Sequence, residues 1–154
     1  MINETTGYMG QFIITAKYKD GTEETETIYN RVTDKYLNAT INILDGITPD
    51  YEIKYFAIGD NASAVTDNPV SLGNEIFRTP VLTSNNNATG QFTTTFTILD
   101  SEAVFTWQEV GVFCGSAATA TLNTGNCLTR ILYNKVKTTL QEISITRVDK
   151  IRRN

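Results

Sequence analysis

Alternation of side chains with a period of two constrains this chain more than any other feature. Phe12, Ile14, Ala16 and Tyr18 fall on one side of an extended segment. Over 91–98, Phe92, Phe96 and Ile98 share one side, and Thr93, Thr95 and Thr97 share the other. Successive residues of a strand point to opposite faces, so such a segment forms a sheet with one face buried. The abundance of threonine, with Tyr, Phe, Val and Ile, favours the same backbone. A chain of 154 residues fits one domain and buries roughly 70% of its unfolded surface, enough for a core without covalent staples.

Read along the chain, 10–30 forms a β-hairpin turning at Asp20-Gly21, because glycine accepts the positive φ of a tight turn. Its return strand, 22–29, is charged on both faces and reads as an edge guarded by Glu23, Glu24 and Glu26. The spacing of Leu37, Thr40, Ile41 and Leu44 predicts a helix over 34–45. Thr33 is placed to cap it, Asp34 sits in its first turn, and Gly46, Ile47 and Pro49 end it. Strands follow at 51–58, at 75–82 with an edge or bulge at Pro80, and at 91–98. Three more follow at 104–114, 127–135 and 138–148. A polar loop spans 60–73, and 84–90, with three consecutive asparagines, reads as an exposed turn. The expected architecture is mainly β: an antiparallel β-sandwich with one short α-helix and an N-terminal β-hairpin. The hairpin, 1–32, reads as a separable arm, the helix covers 33–46, and the sandwich covers 51–148 of a single domain.

Chemistry is sparse. The absence of histidine removes Ser-His-Asp and Cys-His catalysis. No phosphate-binding glycine pattern occurs. Asp60 with Asp67, or Glu102 with Glu109, are the conceivable carboxylate pairs, without a cleft implied for either. The 60–68 loop offers calcium-type oxygen ligands but lacks the alternation of a calcium loop, so a hydrogen-bonded turn is the plainer reading. Cys114 and Cys127 sit near the ends of two strands, where a disulfide is geometrically possible; a cytoplasmic chain keeps them reduced, and two thiols alone make a poor metal site. Trp107 is either a sugar-stacking platform or a core or interface residue, and its apolar neighbours favour the latter. The net charge of −4 argues against nucleic acid. Lys150, Arg152 and Arg153 read as a solvated basic terminus. The first six residues lack the features of a signal peptide, and no apolar run reaches the length of a membrane span. The sequons at Asn3, Asn38, Asn61 and Asn87 are therefore read as composition. The expectation is a non-enzymatic protein without cofactor or metal, made in a cytoplasm.

Several segments, taken in order, carry a family resemblance. They are Gly10-Gln11-Phe12 leading to Asp20-Gly21, and Asn30-Arg31-Val32-Thr33 leading to Leu37-Asn38. Ile58-Gly59-Asp60 and Leu72-Gly73-Asn74-Glu75-Ile76-Phe77-Arg78 follow. Glu109-Val110-Gly111-Val112-Phe113, Leu128-Thr129-Arg130-Ile131 and Lys137-Thr138 complete the series. In these the chain resembles the N-terminal attachment domains of phage tail fibres and tail-collar fibres, and their short stand-alone relatives. The resemblance implies a virion structural protein with other tail, baseplate, collar or neck proteins as partners. It also implies a homo-oligomer, with a trimer favoured. Full fibres continue into shaft and receptor-binding regions, whereas this sequence ends at Asn154, so a short adaptor, collar or neck component is expected. A host-surface carbohydrate-binding module, or a neck or head appendage, is the alternative.

Within the shared segments, Gly59 and Gly111 read as places where a turn or a close backbone approach excludes a Cβ. Glu109 and Arg130 are candidates for a cross-strand salt bridge, against a reading as ordinary surface charge. Glu75 and Arg78, three apart on a strand, are expected on opposite faces and hence not paired with each other.

Overall fold

A computed structural model describes residues 6–30 and 32–153. Nine strands and one helix follow in the order β1 (Thr6–Tyr18), β2 (Glu23–Tyr29), α1 (Asp34–Leu44), β3 (Ile53–Gly59), β4 (Glu75–Pro80), β5 (Thr83–Ala88), β6 (Gln91–Ile98), β7 (Thr106–Cys114), β8 (Asn126–Val136) and β9 (Gln141–Arg153). Two antiparallel sheets result. Sheet I runs β2-β1-β9-β6-β5 and sheet II runs β4-β3-β7-β8. This is the expected β-sandwich with its single helix. Asn3 and Arg31 of the motifs above lie outside the described residues.

The alternation that opened the sequence builds the core. Phe12, Ile14 and Ala16 of β1, Phe96 and Ile98 of β6, and Ile143 and Ile145 of β9 are buried on the inner face of sheet I. They meet Phe56, Ile58, Val110, Val112 and Ile131 of sheet II. Sheet II is buried on its outer face as well, because the loops at 60–74 and 115–125 fold over it. Ala57, Leu72, Phe113, Ala118 and Cys127 form a second, smaller cluster there.

Three sequence expectations need correction. The 10–30 hairpin is present, but it is no separable arm. β1 pairs with β9 along thirteen residues, from Thr6 opposite Arg153 to Tyr18 opposite Gln141, and lies inside sheet I. The sandwich therefore begins with β1 and is not confined to 51–148. The asparagine-rich segment is an edge strand, β5, in which Thr83, Ser84 and Asn85 pair with Thr95, Thr94 and Thr93; a polar sequence suits an edge that faces water. The basic terminus is also part of the sheet: β9 runs on to Arg153. The acidic return strand β2 lies at a sheet edge, as its charge implied.

The helix starts and stops where the sequence signals lie. Thr33 accepts a bond from the Tyr36 N–H at its start. At its end Gly46 takes φ +75°, while Gly46 N donates to Ile43 O and Ile47 N to Asn42 O, the paired bonds that satisfy a helix's last carbonyls. Its packing is unexpected. No residue of α1 is buried, and the stripe Leu37, Ile41 and Leu44 is 51%, 62% and 82% exposed.

Candidate functional site

Four of the five singled-out residues converge on the outer face of sheet II. Glu109 of β7 is fully buried and accepts bonds from Arg130 Nε of β8 at 2.5 Å, Gly73 N at 2.8 Å and Asn74 N at 2.7 Å. Arg130 donates onward to Ala64 O and to Ser63 Oγ, both at 3.1 Å. The expected cross-strand salt bridge is thus present, and its burial excludes the surface-charge reading. It fastens both ends of the 60–74 loop to the sheet. Gly59 lies beneath this junction. A Cβ there would collide with Asn74 O and Glu109 Oε1, and one on Gly111 would sit 2.7 Å from Thr129 O. Trp107 diverges from the other four. The register shifts between Trp107 and Glu109, and the indole turns into the inter-sheet core, donating to Ala103 O at 2.9 Å. It presents no face to a sugar.

Glu75 and Arg78 are paired with each other, against expectation. Arg78 Nε donates to Glu75 Oε1 at 2.5 Å and Nη2 to Oε2 at 2.9 Å. The cause is a β-bulge. Phe77 lies opposite Ile58 and Glu75 opposite Gly59, so Ile76 is an extra residue that reverses the alternation. Arg78 also stacks over Phe113 at 4.5 Å and donates to Thr119 O and Thr124 O, while Glu75 accepts from Asn123 N. This second pair fastens the 115–125 loop as the first fastens 60–74. Each buried carboxylate has several donors, the condition under which a buried ion pair is tolerated.

A third pair continues the inner face of β9 beyond the core. Arg147, fully buried, donates Nε and Nη2 to Asp149 at 2.8 Å each. Burial opposes the guanidinium's charge, but the Asp149 carboxylate outweighs it and holds the pKa above its usual value. Tyr8 OH donates to Asp149, and its ring stacks on Tyr36 of α1 at 4.0 Å. Burial raises the pKa of both phenols.

Between this cluster, α1 and the end of the sandwich lies a groove of about 630 Å³. Ile43 and Ile47 form its helix side, and Ile53, Phe92 and Leu128 its sandwich side. The hydrogen bonds that tie α1 to the body come from its first turn. Thr33 Oγ1 donates to Leu128 O, Asp34 N to Asp67 O, and Lys35 Nζ to Pro69 O. Beyond that turn the helix stands over the groove. Periodicity marked the helix as amphipathic, but the groove joins residues from five separate elements and no local signal could reveal it.

Other candidate chemistry is occupied structurally. Asp60 accepts from Asn74, and Glu102 accepts from Leu99 N. Among the described residues no three metal-binding side chains converge. Cys114 and Cys127 are free and buried, each donating to a backbone carbonyl, and burial pushes both thiols up to about 12. No described helix is long and apolar enough to cross a membrane. Comparison of the chain with family models, curated proteins and solved structures found no match.

Proposed function

We propose that this chain is a non-enzymatic structural protein of a tailed-phage particle, of the tail-fibre attachment, baseplate, collar or neck type, that works by assembling with other proteins. The apolar stripe of α1 carries the assembly part of this reading, and the phage assignment rests on the family resemblance alone. Leu37, Ile41 and Leu44 are turned to water on a helix with no fully buried residue. Full burial of such a side chain is worth about 1.5–3 kcal/mol, so a partner that covers the stripe gains directly. Single exposed apolar residues are ordinary, whereas a contiguous apolar stripe marks an interaction surface.

The two loops fastened by Arg130–Glu109 and Arg78–Glu75 fit the same reading, since buried ion pairs give these long connections a fixed shape. A glycan-binding role has little to stand on, because Trp107 is buried and Tyr133 nearly so. The stoichiometry implied by the family resemblance is a trimer, and the proposed location is the virion. The test is twofold. Light scattering of the purified chain should give a mass of an oligomer, and mass spectrometry of purified particles should find the protein. A strict monomer absent from particles would remove the proposal.

A further inference from the structure

The groove beneath α1 has the volume of a binding site, within the range of roughly 300–1,000 Å³ usual for ligand pockets. Its walls are aliphatic and aromatic, and its charges have one sign. Glu52 and Asp149 line it, and among the described residues no Lys or Arg does. It continues past Tyr36, Phe92 and Asp149 into a shallower pocket of about 240 Å³, again without a basic group. Asp149 is already neutralised by Arg147, but Glu52 stands largely in solvent, 3.8 Å from Lys54. The helix adds to the same field. Its last turn holds no basic residue and its C-cap is Asp45, so the negative end of the helix dipole is uncompensated beside Gly46 on the groove wall.

We propose that this groove is a docking site for a segment of another protein that places apolar side chains between α1 and the sandwich and carries Lys or Arg beside them. The apolar anchors fill the space between Ile43, Ile53 and Phe92. The cations meet Glu52 and the carbonyl end of α1. The helix's hydrogen bonds to the body come from its start, at Thr33, Asp34 and Lys35, so an occupant beside its far half breaks none of them. The proposal rests on the assembly reading in taking the occupant to be a protein segment.

The test uses the full chain with Thr40→Cys carrying an environment-sensitive dye; Thr40 lines the groove and is exposed, while both native thiols are buried. The probes are two synthetic amphipathic peptides of equal length and leucine content, one with lysine and one with glutamate. The Leu/Lys peptide should give a saturable blue shift and the Leu/Glu peptide none. Ile43→Asp should weaken Leu/Lys binding at least tenfold with an unchanged thermal midpoint, since Ile43 is 62% exposed. That change adds negative charge, so affinity that holds or rises would reveal mere charge attraction and overturn the proposal. Glu52→Lys should erase the preference between the peptides, and a preference that persists counts against it. Uptake of the neutral dye Nile red that neither peptide displaces would make the groove a small-molecule site and also overturn it. Loss of peptide binding leaves the assembly reading intact if the particle and solution-mass results stand. Peptide binding without those results removes the assembly reading alone.

Discussion

Arg130 and Glu109 show how one residue can hold a loop of fifteen. Removing the guanidinium leaves a buried carboxylate with two backbone donors and no counter-charge. Arg130→Met should therefore destabilise by about 3–5 kcal/mol, read from urea unfolding, and Glu109→Gln should recover part of that loss in the double variant. A loss within 1 kcal/mol would mean that the loop opens to admit water. Gly59→Ala tests the same junction from the backbone side. Its methyl meets Asn74 O and Glu109 Oε1, and overpacking of this kind costs about 1–3 kcal/mol. The cysteines set the alkaline limit. Burial raises both thiols from 9.0 to about 12. The folded state thus keeps protons that the unfolded chain releases, and stability present below pH 9 falls as the pH climbs toward 12. Tyr8 and Tyr133 are raised as well, again chiefly by burial, and add the same sign above pH 10. Urea midpoints should be level to about pH 8.5 and then decline. Cys114→Ala with Cys127→Ala should delay the onset until the tyrosines titrate.

At the scale of elements, α1 separates propensity from packing. Its caps and periodicity were legible in Thr33, Gly46 and the Leu37–Leu44 spacing, and the structure honours all of them. Which way the apolar stripe would face was not legible, because that depends on what the sandwich leaves uncovered. Leu37→Gln, Ile41→Gln and Leu44→Gln together should alter the unfolding free energy of the chain by at most about 0.5 kcal/mol per site, yet lower the mass seen by light scattering. If the triple variant unfolds early while its mass is unchanged, the stripe supports the fold and not assembly. β4 offers the second lesson at this scale. Glu75 and Arg78 share a face only because Ile76 bulges out of the ladder. The bulge is fixed by the pairing of β4 with Gly59 of β3, a contact sixteen residues away in the chain.

For the whole molecule, the decisive contact is between the two ends. β1 and β9 pair along thirteen residues, so sheet I closes only when the last strand meets the first. Such distant pairing requires much chain entropy to be lost before any contact compensates it, and slow folding is the expected consequence. Deleting residues 1–32 removes Phe12, Ile14 and Ala16 from the core and strips β9 of one neighbour. The shortened chain should show no cooperative thermal transition by circular dichroism. If it melts cooperatively, the hairpin is separable after all.

The sequence by itself indicated every strand but β5, the helix and its ends, the guarded acidic edge, and Glu109 and Arg130 as candidate partners, because each follows from side-chain period, turn chemistry or complementary charge. Only the tertiary structure decided that the hairpin is central, that Glu75 meets Arg78, and that an acidic apolar groove lies under α1. Those outcomes depend on strand order and register, and the same local pattern permits several registers until one buried face selects among them.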